Sequence, residues 1–128
     1  MGRRYMNMKH IFLVEDDPFL SEMYAKKISA AGFEIEVIGT AEEALRKLEQ
    51  IKPDLILLDI VLPKMDGFEF LRTIKQNEVY QKIPVLVLSN VGQKEEIQRG
   101  LELGAKGYIV KAQFTPSEII QKINQALS

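Results

Sequence analysis

Short apolar runs recur along the chain, separated by segments of helical periodicity, and the runs are continuous rather than alternating. Successive side chains of a strand leave opposite faces of its sheet, so a continuous apolar run marks a strand covered on both sides. Ile11–Val14, Leu55–Leu58, Val85–Leu88 and Tyr108–Val110 are of this kind, and Glu34–Ile38, interrupted by Glu36, is a weaker fifth. The segments between them read as helices. Asp17 and Pro18 form an N-cap and first helical residue, with Leu20, Met23 and Ile28 on one stripe and Gly32 as the stop. Thr40 and Glu43 form a capping box ahead of Ala41, Ala44, Leu45 and Leu48, in a helix that ends before Pro53. Phe68, Leu71 and Ile74 share a face after Gly67, and Ile97 and Leu101 precede a second stop at Gly104. Thr115, Pro116 and Glu118 open the last helix with another capping box, and Ile119, Ile120, Ile123 and Leu127 are its buried face.

Strand followed by helix, five times over, predicts an α/β fold: parallel strands, right-handed crossovers, and helices on both sides of one doubly wound, three-layer, five-stranded sheet. With 128 residues and neither linker nor internal repeat, one domain is expected. In such sheets ligands bind beyond the carboxyl ends of the strands, where the strand order reverses, so the residues just after each apolar run carry the functional information.

Composition narrows the chemistry. Seventeen Lys and Arg against eighteen Asp and Glu leave a formal charge of −1, which gives no general attraction to nucleic acid or anionic lipid. The chain has no cysteine, hence no disulfide, thiolate metal site or cysteine nucleophile, and its one histidine, His10, cannot by itself build a histidine metal site. No apolar run approaches the roughly 18 residues of a membrane span, and MGRRYMNMKH lacks the apolar stretch of a signal peptide, so a cytoplasmic protein without membrane insertion is expected.

The strand ends carry Glu15, Asp16 and Asp17 after the first run, Asp59 after the third, Ser89 and Asn90 after the fourth, and Lys111 after the fifth. Each has an ordinary reading alone: helix cap, turn starter, solvated strand end. Taken together, they supply different parts of one site. Two carboxylates about 4 Å apart repel by roughly 4 kcal/mol at an effective dielectric near 20, so acidic groups from two strand ends call for a cation. Oxygen-only donors suit a hard ion such as Mg2+, while Lys111 and Ser89 would add a point charge and a hydroxyl for phosphoryl oxygens.

These residues resemble the receiver domain of two-component response regulators over about residues 9–127. The resemblance is carried by FLVEDDP, by LILLDIVLPKMDGFEFL, by VLVLSN and by LGAKGYIVK, in order and at matching spacing. It implies a flavodoxin-like strand order of 2-1-3-4-5, with residues 9–128 as the receiver domain. Residues 1–8 would be a flexible extension, native or a remnant. Asp59 would accept a phosphoryl group from the phosphohistidine of a histidine kinase or histidine phosphotransfer protein. Glu15 and Asp16 would be the acidic metal pair, with Asp59 and the backbone carbonyl of Val61 completing the protein ligands to Mg2+. Ser89 and Lys111 would contact the phosphoryl oxygens, and Tyr108 would be the aromatic switch that follows Ser89. Because the chain stops at Ser128, a single-domain regulator is expected, a monomer or weak phosphorylation-dependent dimer acting on a downstream protein without direct nucleic-acid contact. It would not be an enzyme in the ordinary sense, although it assists its own phosphorylation and slow dephosphorylation.

Three departures stand out. The family usually places proline in a cis peptide after its lysine, whereas here Ala112 follows Lys111. A non-proline cis bond costs about 2.5–4 kcal/mol, so the site either tolerates strain or takes a trans path. Asn90 occupies a position where small residues are common and would narrow access to the site. Val61 and Val91 cannot orient a water by hydrogen bonding, from which slow self-hydrolysis of the phosphorylated site is expected. Other classes fit less well. A haloacid-dehalogenase-like phosphatase repeats aspartate two residues after the first, where this chain has Val61, and a flavodoxin-like nucleotide or flavin binder needs a phosphate loop where EDDPF stands. The alternative nearest to the data is a receiver-like interaction module that is not phosphorylated.

Overall fold

Local sequence signals set most of the element boundaries in the computed structural model, which describes residues 8–128. Five strands, β1 (His10–Val14), β2 (Glu34–Ile38), β3 (Leu55–Leu58), β4 (Val85–Ser89) and β5 (Gly107–Val110), alternate with five helices. These are α1 (Pro18–Ala30), α2 (Ala41–Leu48), α3 (Gly67–Lys75), α4 (Lys94–Glu102) and α5 (Pro116–Leu127), and a short 3-10 turn, Lys111–Gln113, follows β5. The expectation for residues 1–8 lies, Met8 apart, outside the described residues.

All pairings are parallel and the order is β2-β1-β3-β4-β5, the doubly wound arrangement expected. Strand alternation divides the core into two halves. Phe12, Val14, Ile56, Leu58, Val85 and Val87 face α2 and α3. Ile11, Leu13, Leu55, Leu57, Leu86, Leu88 and Ile109 face α1 and α5. Every residue of β3 is fully buried, which is why its run is unbroken by polar residues. Each large side chain so buried contributes roughly 1.5–3 kcal/mol. The edge strand β2 is half exposed, matching its weaker pattern.

The caps form at the expected residues, with one difference. Asp17 accepts from the N–H groups of Phe19 and Leu20, and Thr115 and Glu118 form a complete capping box. Thr40 accepts from the Glu43 N–H at 3.1 Å, but the Glu43 carboxylate turns away to Arg46 at 2.8 Å, so this box is only half made. Gly32 and Gly104 end their helices at φ of +99° and +111°, the left-handed geometry that glycine adopts without a Cβ clash.

Two buried faces differ from the periodicity. On α1 the buried residues are Ser21, Tyr24 and Ile28, while Leu20 and Met23 are only partly covered. On α4 Leu101 is exposed and Gly100 is the buried residue. A Cβ on Gly100 would lie 3.1 Å from the Tyr108 ring, so the helix rests on β5 through its glycine rather than through a leucine.

Candidate functional site

Sheet register brings the strand ends into one cleft. Val14 lies beside Leu58, and Ser89 beside Val110, so the residues that follow these strands emerge at one edge. β1 and β3 are sequence-distant neighbours, and the crevice opens where the winding reverses between them. A cleft of about 340 Å³ results, lined by Glu15, Asp16, Asp17, Leu20, Asp59, Val61, Ser89, Asn90 and Lys111.

Backbone ladders carry on just past the strands and hold the first two acidic residues. The N–H of Glu15 donates to the Ile38 carbonyl at 2.9 Å, and that of Asp59 to the Val14 carbonyl at 3.0 Å. Both carboxylates are buried, while Asp16 is exposed to the cleft. One carboxylate oxygen from each of Glu15, Asp16 and Asp59 falls within 4.8 Å of the others. The Lys111 ammonium, itself nearly buried, donates to Glu15 Oε1 at 2.5 Å and to Asp59 Oδ2 at 3.1 Å. The remaining oxygens are also engaged: Asp17 N–H donates to Glu15 Oε2 at 3.2 Å, and Val61 N–H to Asp59 Oδ1 at 3.1 Å.

The electrostatics follow from this packing. Burial pushes the Glu15 carboxyl above its ordinary range, and the Asp59 charge adds to this, against the lowering effect of Lys111 and the Asp17 N–H. Burial by itself would lower Lys111, but its hydrogen bond to Glu15 and the charges of both carboxylates outweigh that and hold it above its usual value. One ammonium faces three carboxylates, so the donor set has room and charge for a hard cation held by oxygen.

Every residue singled out at the strand ends lies at this cleft or one contact from it. Ser89 is fully buried and its Oγ accepts from the Val91 N–H at 3.2 Å. Tyr108 reaches the same residue on its carbonyl side, its hydroxyl donating to the Val91 carbonyl. Burial raises the Tyr108 phenol, with the Ser89 hydroxyl opposing and Glu96 and Asp59 reinforcing the rise. The Lys111–Ala112 bond is trans, like every peptide bond among the described residues, and the chain enters the 3-10 turn without withdrawing Lys111 from the carboxylates. Asn90 is exposed at the rim, and the Val61 side chain, 60% exposed, projects beside Asp59.

Three residues at or near the site were not signalled by the strand-end reading. Leu20, assigned to the core stripe, lines the cleft. Tyr24 is buried beneath the site: burial raises its phenol, Lys111 lowers it, and Glu15 and Asp59 raise it further. Gly67, named only as the residue ahead of the Phe68, Leu71 and Ile74 stripe, packs so tightly that a Cβ there would lie 2.4 Å from the Asp59 carbonyl oxygen and 2.6 Å from the Ile60 Cα. A tyrosine two turns into the helix after an acidic strand end is the one local signal that could have pointed to Tyr24.

Comparison with known proteins bears on the family and the fold that carry this cleft. Residues 11–124 match the family model of the response regulator receiver domain. The chain is 35% identical over 117 residues to the phosphate regulon transcriptional regulatory protein PhoB of Rhizobium meliloti, covering 91% of this chain and 51% of that protein. It spans about half or less of the length of the curated relatives it matches first. The structure of the Vibrio cholerae chemotaxis protein CheY4 superimposes with a TM-score of 0.87 at 30% identity, covering 94% of this chain and 99% of the other. The response regulator Rcp1, solved in its Mn(2+)-bound form, superimposes with a TM-score of 0.81 at 30% identity, over 91% and 92% of the two chains.

Proposed function

The chain belongs to the response regulator receiver domain family, which serves phosphorylation-based signalling, and from that premise we propose that Asp59 is its phosphoacceptor. The observation that carries the reading is the Asp59 carboxylate, bonded to Lys111 on one side and within 4.8 Å of two further carboxylates on the other. The phosphoryl donor is a phosphohistidine of a histidine kinase or phosphotransfer protein. In the transfer the P–N bond to the imidazole breaks as a P–O bond to an Asp59 oxygen forms, and the imidazole leaves with its electron pair. Lys111 stands where it offsets the charge arriving on the phosphoryl oxygens, and Ser89 offers a hydroxyl to them.

Glu15, Asp16 and Asp59, with the Val61 carbonyl, are the residues that would hold Mg2+, and the Mn(2+)-bound form of the similar Rcp1 supports a divalent cation here. When bound, the cation screens the approach of one anion to another. The signal then leaves by way of Ser89. Its hydroxyl now holds the Val91 N–H, and Tyr108 holds the carbonyl of the same residue, so drawing Ser89 toward a phosphoryl group releases one end of a clamp that Tyr108 shares. α4, which follows, has no side-chain cap and is thereby the least anchored helix start. The changed surface meets a protein partner in the cytoplasm, without direct nucleic-acid contact. The reading as an unphosphorylated module drew its support from the Ala112 departure, and the contacts that Lys111 makes with Glu15 and Asp59 favour the phosphoacceptor reading over it.

Intact mass after incubation with Mg2+ and acetyl phosphate tests the proposal. A phosphoryl adduct is expected that EDTA prevents and Asp59→Ala lacks, accompanied by shifts of the Val91 and Tyr108 amide resonances. An adduct that persists in the variant would refute the assignment of Asp59, and unmoved resonances at Val91 and Tyr108 would refute the switch.

A further inference from the structure

The loop between β3 and α3 is tied at both ends to the phosphoacceptor strand. At its start the Val61 N–H donates to Asp59 Oδ1 at 3.1 Å, and at its finish the Gly67 N–H donates to the Ile60 carbonyl at 2.8 Å. Its middle is different. Lys64 has a φ of +62°, a left-handed conformation that a lysine keeps only where its surroundings impose it. The polar tie to that middle comes from α2: Glu42 Oε2 accepts the Met65 N–H at 3.3 Å, across 23 residues of sequence.

Glu42 is an unusual residue to spend on this contact. Its Oε1 is buried without a hydrogen-bond partner, the one such side-chain oxygen among the described residues. A half-satisfied carboxylate costs solvation, and α2 does not require it, since Thr40 caps the helix and the adjacent Glu43 pairs with Arg46. The position in the first turn of α2 favours the charge, so the carboxylate is held by its own helix and aimed at the loop.

Resting on the reading of Asp59 and Val61 given above, we propose that Glu42 is a positioning residue for the phosphoryl site. By holding the turn at Pro63–Met65 it keeps Val61 against Asp59 at the rim of the cleft, and so sets the geometry of the oxygen ligands without touching them. Residues that orient metal ligands from behind typically carry about 10–100-fold in metal affinity.

Mg2+ titration of the whole chain, followed by amide resonances, tests this in Glu42→Ala, Glu42→Met, Glu42→Gln and Glu43→Ala. Glu42→Ala is expected to weaken Mg2+ by about 10-fold, and Glu42→Met, which keeps the bulk and loses the acceptor, to behave alike should the smaller side chain impair folding. Glu42→Gln retains an oxygen for the Met65 N–H and is expected to bind Mg2+ like the wild type, as is Glu43→Ala. In EDTA, amide exchange at Val61 and Met65 should quicken in Glu42→Ala and Glu42→Met, a readout that needs no metal. Equal losses in Glu42→Gln and Glu42→Ala would overturn the proposal in favour of a general effect of charge. A wild type that binds Mg2+ beside equally tight Glu42→Ala and Glu42→Met would overturn the positioning role alone, whereas a wild type that takes up no Mg2+ would overturn it together with the reading beneath it.

Discussion

At the scale of single residues, the site works by imbalance. Lys111 neutralises part of a three-carboxylate cluster, and on the proposed reading the rest is left for a cation and an incoming phosphoryl anion to complete. Two of the side chains near Asp59 are apolar: Val61 is exposed beside it, and Val91 is held by its backbone N–H and carbonyl. Neither can hydrogen-bond a water in line for attack on phosphorus, so the phosphorylated form should persist. Replacing Val61 by Asn and Val91 by Glu should speed loss of the adduct by about 10-fold or more, short of the roughly 10²–10⁴ that a well-placed proton acceptor contributes. Following the adduct by mass over time measures this, and an unchanged rate would remove the explanation. Glu15, Asp59, Ser89 and Lys111 were legible because each stands directly after an apolar run, whereas Val61, Val91 and Tyr108 were pointed to by the family resemblance. Tyr24 and Glu42 were not legible, because a helix residue reaches a distant site only by the angle at which its helix is packed.

The elements show which local signals survive packing. Caps did, since a cap is a contact among neighbours: Asp17, Thr40 and Thr115 all accept from the amides ahead of them. Faces survived less well. On α1 Ser21, Tyr24 and Ile28 turn inward instead of Leu20 and Met23, because the direction of the buried stripe is set by how the helix lies on the sheet. Gly67 shows what lies beyond such local signals. Its role is a close approach of α3 to the backbone that carries Asp59, which no spacing along the chain reveals. Gly67→Ala must push that backbone or tilt α3, and is expected to cost roughly 1–3 kcal/mol and to slow phosphorylation. Urea unfolding and the rate of adduct formation check it together; wild-type values in both would show that the contact relaxes freely.

For the molecule as a whole, the site is held against stability. A buried Glu15 has its folded pKa raised above the ordinary value of 4.5, so in a window starting there the native state holds a proton that the unfolded chain has lost. The unfolded state then binds fewer protons, and stability falls as pH rises through the window. Below it, the group is neutral in both states and its contribution is fully present. Unfolding free energies measured in EDTA should therefore show the Glu15→Gln variant gaining on the wild type as pH is raised from 4.5 toward 7. A difference that did not change with pH would contradict the origin assigned to the shift. Lys111 acts oppositely in charge and at the other end of the scale, its contribution being lost only as pH passes above 10.5.

By itself the sequence determined the class of fold, the five strands and the kind of chemistry, because hydrophobic periodicity, caps and the residues after each run are local properties of a chain. The family resemblance supplied the strand order. Tertiary structure decided what depends on distance in space: that Lys111 reaches Glu15 and Asp59 on a trans path, that Val91 is clamped from both sides by Ser89 and Tyr108, and that Gly67 and Glu42 meet the loop after β3 from α3 and α2. The register of parallel strands and the angle of a packed helix are set by the whole core at once, and no stretch of sequence short enough to read as a motif contains them.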